Sequence, residues 1–471
     1  MSDYTHIIDG KVVTSPGKMS VINPASLQNI AEVPVATKEQ LDEAVFAARK
    51  AFPAWSAKSQ EERAEVLLKM ALVIEDNMQE YKRILTSEQG KTVRDAELEL
   101  GICVASIRGM AELRLPETVL LENDEAKIVE RRVAIGVCAG IVPWNFPMIL
   151  AVLKLAPAIF AGNTFILKPS PFTPLTSLRM IKDMQPFIPP GVVNILSGDD
   201  SLGPLITGHP GIDKVSFTGS TETGKKVMAC ASMGLKRLTL ELGGKDPAII
   251  LPDVNPEKIA PYVCIYLSPK RIYVHEKIYD KFRDELVKYA KSIKIGDGAD
   301  PSAQLGPVQN ILQYKRVLSF IEDSHANKHK FALGGITNPN PTDGLFVPIS
   351  IIDNPPDDSR IVHEEPFGPI VPLMKWADEA EVIERANNTE YGLSASVWGK
   401  DTKVVERIAR QIQAGTHTDM ILLLCTNINI MNEQAFGGHR KSGLGVENGI
   451  HGLMSFTNIQ SLTLKKNASF L

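Results

Sequence analysis

Four short stretches of this chain place polar side chains where chemistry could be done. Glu241, in L-E-L-G-G-K, ends an apolar run beside two glycines that let backbone and ligand come close. Burial at such a place raises a carboxyl pKa and suits it to general-base work near neutral pH; a glutamate capping a hinge would look the same. Asn145 sits inside Pro143-Trp144-Asn145-Phe146-Pro147, after another apolar run, and the two prolines stiffen the turn that presents its amide. A held amide is what a developing oxyanion needs, and a turn asparagine bonding its own backbone is the plainer alternative. Lys168 and Ser170, in I-L-K-P-S, follow directly on a strand-like run, where an ammonium can reach a ribose hydroxyl. Phe217 to Gly224 reads F-T-G-S-T-E-T-G at a strand-to-helix junction, where free backbone N–H groups favour phosphate, which singles out Gly219, Ser220 and Gly224.

These stretches need elements to hold them. From Thr37 the text T-K-E-Q-L-D-E-A-V-F-A-A-R-K predicts an amphipathic helix opened by a Thr37/Gln40 capping box. Further helices are expected from about 61 to 85 and 95 to 113, so the first hundred residues read as mainly helical. From Val133 short apolar runs ended by Pro or Gly alternate with helical text. That pattern implies β-α-β units and a buried parallel sheet, with ligands outside the carboxyl ends of the strands. A second series begins near Asp246 with D-P-A-I-I-L, R-I-Y-V-H-E and the helix I-Y-D-K-F-R-D-E-L-V-K-Y-A. Gly243-Gly244 marks the boundary between the two. The tail S-F-T-N-I-Q-S-L-T-L-K-K holds an alternating stretch suited to an edge strand that could pair with another subunit.

At 471 residues the chain is too long for one compact core. Hydrophobic residues at 44% and charged residues at 23% fit a soluble globular protein and argue against disordered or membrane classes. The formal net charge of −4, without long runs of one sign, gives no sign of nucleic acid or an anionic membrane as partner. The first residues lack a secretory pattern and no apolar segment suits a membrane span, so the expected address is the cytosol. Cys103, Cys138, Cys230, Cys264 and Cys425 are an odd count without C-x-x-C spacing, which suits reduced thiols rather than disulfides or zinc.

Taken together, P-W-N-F-P, I-L-K-P-S, F-T-G-S-T-E-T-G, L-E-L-G-G-K and Glu365-Pro366-Phe367-Gly368-Pro369 resemble the aldehyde dehydrogenase family over roughly residues 20 to 465. The resemblance implies an α/β fold of two Rossmann-type domains plus a small β oligomerisation element. The cofactor-binding domain would span 1–114 and 132–242, the catalytic domain 243–450, and the bridging element 115–131 and 451–471, in a homodimer or homotetramer. It further implies oxidation of a small-molecule aldehyde to a carboxylate with NAD, or NADP, through a cysteine thioester. Asn145 would donate to the oxyanion and Glu241 would activate the hydrolytic water. Trp144, Lys168, Ser170, Gly219, Ser220, Gly224, Glu365 and Phe367 would hold the cofactor, with Glu365 on the nicotinamide ribose and Phe367 near the ring. Pro171 stands where the family often has a ribose-binding glutamate, which leaves NAD against NADP open.

The resemblance fails at two places. The family sets its nucleophilic cysteine in a glycine-containing loop five residues before an arginine equivalent to Arg271, where this chain has Tyr266. The nearby thiol is Cys264, 23 residues after Glu241, among bulky apolar neighbours and with no cationic side chain before Lys270. That setting suits an inert core thiol, and Cys264 is nonetheless the candidate nucleophile. A second departure covers 417–425. Wrongly drawn exon boundaries would produce both, as would a catalytically impaired homologue that keeps cofactor binding alone.

Overall fold

A computed structural model describes residues 4–265, 269–338, 340–420 and 434–466, with the backbone alone at 264–265 and 417–420. Two parallel-rich sheets dominate it. The first has eight strands in the order Gly443–Leu444, Arg237–Glu241, Lys214–Thr218, Val137–Ile141, Thr164–Lys168, Val193–Ile195, His6–Ile8, Lys11–Val13. Its five central strands run parallel, and those from 137 to 218 are buried residue by residue. Covered on both faces, they read as near-continuous apolar runs. The second sheet has seven strands, Phe331–Leu333, Ser350–Asp353, Ile370–Trp376, Arg271–His275, Pro247–Ile250, Ser394–Trp398 and Thr416–Met420. All its pairs are parallel except the first. The chain crosses from one sheet to the other at Gly243-Gly244, between Glu241 and Pro247.

Helix Lys38–Ser56 starts as its text predicts: Thr37 Oγ1 accepts from the Gln40 amide at 3.3 Å, and Gln40 Oε1 accepts from the Thr37 amide at 3.0 Å. The helical stretch expected over 61–85 is two helices, Gln60–Asp76 and Met78–Gln89. Asn77 between them gives its side-chain N–H to the Val73 carbonyl at 2.8 Å. The next helix, Val93–Glu112, matches its expectation closely.

The first hundred residues are mainly helical, as expected, although residues 6–34 form four short antiparallel strands. Their hairpins are too short for the alternation to register. The run expected as one strand from Val133 is split between Ala126–Ala134 and Val137–Ile141. Gly136 makes the break at φ 140°, and a Cβ there would fall 2.2 Å from Asp213 Oδ2, which instead accepts the Val137 amide at 2.8 Å. Only glycine permits that approach.

The tail is the strand its alternation predicts. Thr457–Lys465 pairs antiparallel with Ala126–Ala134, and Glu117–Glu122 completes a three-stranded sheet. None of the described helices is long and apolar enough to cross a membrane.

Candidate active site

The carboxyl ends of the first sheet's strands and the start of the second enclose a cavity of about 740 Å³. Trp144, Asn145, Gly219, Ser220, Glu241, Glu365 and Phe367 all stand on its wall. Residues as far apart in sequence as Trp144 and Phe367 are thus gathered at one place, where the topology of a parallel sheet puts ligands.

Asn145 lies in the turn between strand Val137–Ile141 and helix Pro147–Phe160. The turn is clamped from below by a buried ion pair that sequence reading missed. Lys91 Nζ donates to the Asn145 carbonyl at 3.0 Å and to Glu99 Oε2 at 2.5 Å, and lies 4.1 Å from the centroid of the Phe146 ring. Glu99 Oε1 accepts the Met148 and Ile149 amides at 2.8 and 3.1 Å, capping the helix that follows. The backbone is thus held, the side chain stands on the cavity wall, and its Oδ1, the acceptor end of the amide, is buried with no hydrogen-bond partner among the described residues.

Glu241 ends strand Arg237–Glu241, and its carbonyl accepts the Gly219 amide at 3.0 Å. Burial raises its pKa to about 7, the nearby Glu447 adds to this, and Lys154 and a hydrogen bond with Thr218 pull the other way. Behind it runs a polar file that sequence reading also missed. Lys154 Nζ donates to Thr218 Oγ1 at 2.7 Å and to Glu447 Oε1 at 2.5 Å, and Ser216 Oγ donates to the same Glu447 oxygen at 2.9 Å. Lys154 and Glu447 are both buried. The signal was a lysine within the apolar run M-I-L-A-V-L-K-L-A-P-A-I-F, which a buried helix tolerates only if the ammonium finds partners.

Ser220 caps helix Thr221–Ser232, accepting from the Thr223 amide at 3.2 Å. The Thr221 and Glu222 amides, at the start of the helix and on the cavity wall, have no carbonyl a turn behind them to bond. Gly219 keeps this entry open, since a Cβ there would lie 2.5 Å from Phe217 Cζ, and at Gly243 a Cβ would lie 2.7 Å from Glu365 Oε2. Glu365 Oε1 accepts the Gly244 amide at 3.3 Å, and burial raises its carboxyl pKa against the pull of Lys270. Phe367 meets Trp144 edge-on, ring centroids 5.4 Å apart. Its φ of 50° is unusual for a bulky residue and costs strain; Gln313 Nε2 holds the turn by donating to the Pro366 and Phe367 carbonyls at 2.7 and 3.0 Å.

Three expected residues stand off the wall. Lys168 ends strand Thr164–Lys168, buried, its pKa lowered by that burial to about 8 and supported by Asp200 and Asp199. Ser170 accepts the Phe172 amide in the turn that follows. Gly224 is buried against Leu242, 2.4 Å from a hypothetical Cβ, so its lack of a side chain serves helix packing.

Cys264 falls in the last turn of helix Pro256–Ile265, in place of the glycine-containing loop; its side chain, Tyr266 and Cys425 lie outside the described residues. Burial pushes the Cys138 thiol up to about 12 and the Cys103 thiol well above its usual value. Neither suits a nucleophile. Among the described residues no cluster suited to a metal ion is found.

An α/β chain with parallel-rich sheets and a cavity at the carboxyl ends of the strands belongs to the class of folds that bind ligands at that place. The family model for the aldehyde dehydrogenase family matches residues 12–462, and the chain belongs to that family. It is 38% identical to aldehyde dehydrogenase 1A1 of Gallus gallus, over 95% of this chain and 90% of the relative. It is 36% identical to aldehyde dehydrogenase LUC3 of Fusarium sp, over 98% and 99%. Among solved structures it is similar to PnpE from Pseudomonas sp. WBC-3, at a TM-score of 0.94 and 31% identity over 100% and 99% of the two chains. It is also similar to a betaine aldehyde dehydrogenase from Staphylococcus aureus in complex with NAD+, at 0.93 and 30% over 100% and 99%. The family fixes the class: an oxidoreductase acting on aldehydes.

Proposed function

We propose that the chain oxidises an aldehyde to a carboxylate with NAD+ or NADP+, Glu241 serving as general base and Asn145 as oxyanion donor. The observation that carries this reading is their shared cavity, which joins the side-chain amide of Asn145 to a carboxyl whose pKa burial raises to about 7. The cavity's residues suit the cofactor. The free first-turn amides of helix Thr221–Ser232 favour phosphate, the glycines at 219 and 243 leave room, Glu365 is set for a ribose, and Trp144 and Phe367 offer aromatic faces. The bound cofactor supplies a hydride acceptor.

In this reading Cys264 is the nucleophile, its thiolate adding to the carbonyl carbon while the Asn145 amide receives the charge that gathers on oxygen. Glu241 then takes a proton from the water that releases the acid, with the buried file of Thr218, Lys154 and Glu447 behind it tuning its charge. A second reading, cofactor binding without turnover, is favoured by the place of Cys264 in a helix. With Pro171 three residues after Lys168, NAD and NADP are both to be tried. We further assign the first sheet, apart from its strand Gly443–Leu444, to a cofactor-binding domain (1–114, 132–242), the second sheet and that strand to a catalytic domain (243–450), and 115–131 with 451–471 to a bridging element that pairs subunits.

The test is NADH or NADPH formation with short and long aldehydes, beside Cys264→Ala and a binding titration of each cofactor. Turnover that disappears in Cys264→Ala supports the first reading. Cofactor binding without turnover supports the second, and turnover that survives in the variant removes Cys264 from the mechanism.

A further inference from the structure

Lys270 is the residue before strand Arg271–His275. Its backbone N–H is held by the Asp246 carbonyl at 2.9 Å, and its side chain stands on the cavity wall. The ammonium lies 5.0 Å from the centroid of the Phe367 ring. No carboxylate is within ion-pair distance of it among the described residues. Its charge acts at longer range on Glu365, Asp246 and Lys245. The Phe367 ring is not free to carry the charge elsewhere, because Trp144 abuts it and Gln313 fixes its backbone. An aromatic face attracts one cation, and here that cation is part of the chain.

The consequence rests on the proposed reading, in which the nicotinamide end of the cofactor lies beside Phe367. An oxidised nicotinamide ring carries a positive charge and a reduced one is neutral. Adding a second cation beside Lys270 costs Coulomb energy in a half-buried cavity, whereas adding a neutral ring does not. We propose that Lys270 makes this cavity select the redox state of the cofactor, binding reduced nicotinamide in preference to oxidised. Glu365, Asp246 and Glu241 share the cavity wall with Lys270; burial raises the pKa of all three carboxyls, that of Glu241 to about 7, which reduces the negative charge set against the ammonium without removing it.

The experiment is calorimetric titration of the full chain at low salt with NAD+, NADH, NADP+ and NADPH, in the wild type, Lys270→Met, Lys270→Glu and Lys270→Arg. Thermal unfolding of each variant checks that it is folded. We expect the ratio of oxidised to reduced dissociation constants to fall on the order of tenfold in Lys270→Met and further in Lys270→Glu. The change should lie in the oxidised form, and Lys270→Arg should keep the wild-type ratio. Both forms binding with an unaltered ratio in the Met and Glu variants would overturn this inference alone. Neither form binding to the wild type would overturn the cofactor reading and this inference with it.

Discussion

Glu241 works against its own burial. With a folded pKa raised to about 7, its contribution to stability is complete below the unfolded value near 4.5 and is lost as pH rises through 7. Glu241→Gln should therefore unfold at a higher temperature than wild type at pH 8 to 9, by on the order of 2–3 kcal/mol, and the gap should close towards pH 5. Thermal unfolding across that range checks it. As the proposed base Glu241 would act ionised, so the rate should fall about tenfold per pH unit below an apparent pKa near 7. A flat profile from pH 5 to 8 would count against Glu241 as base. Asn145→Ala should lower kcat by roughly a hundredfold or more with little change in cofactor affinity, read by steady-state kinetics beside a binding titration. Asn145 and Glu241 were legible because proline and glycine neighbours mark a held amide and a crowded strand end. Lys154 and Glu447 were not, since their partnership spans almost three hundred residues and each alone looks like a solvated charge.

At the scale of elements, the clamp under the Pro143–Pro147 turn matters most. Glu99 is buried and the Lys91 side chain is only 9% exposed, so removing the lysine leaves Glu99 as an unpaired buried charge. Lys91→Met should cost about 3–5 kcal/mol, measured as a shift in the urea unfolding midpoint. An unchanged midpoint would mean that Glu99 finds its compensation elsewhere. Element boundaries were readable where side chains act locally, as in the Thr37/Gln40 box. They were not where the cause is distant. Nothing near Gly136 in the sequence announces Asp213, the residue whose carboxylate ends one strand and starts the next.

For the whole molecule, the three-stranded sheet leaves Val119, Leu120, Leu121, Ile459 and Leu464 exposed. Exposed apolar side chains on a sheet with a free edge strand suit burial against another copy. Leu120→Glu with Leu464→Glu should reduce the particle mass to that of one chain in light scattering, with thermal unfolding confirming the fold. A wild type that is already monomeric would remove this role for the sheet. Class and topology were readable from the alternation of apolar runs and helices, because a doubly covered parallel sheet leaves few other arrangements for such text. The eighth strand of the first sheet was not. Gly443–Leu444 pairs with Leu240 and Glu241, and Ser442 Oγ donates to the Gly243 carbonyl at 2.6 Å while accepting the Gly392 amide at 2.9 Å. A chain emerging from the ribosome makes its base-bearing strand about two hundred residues before the segment that flanks it. At ordinary elongation rates that is a wait of roughly 10–40 s with one sheet edge bare. The strand carrying the proposed base is therefore among the last parts of the molecule to be enclosed, and truncations that remove Gly443–Leu444 should damage a site whose proposed base was synthesised about two hundred residues earlier.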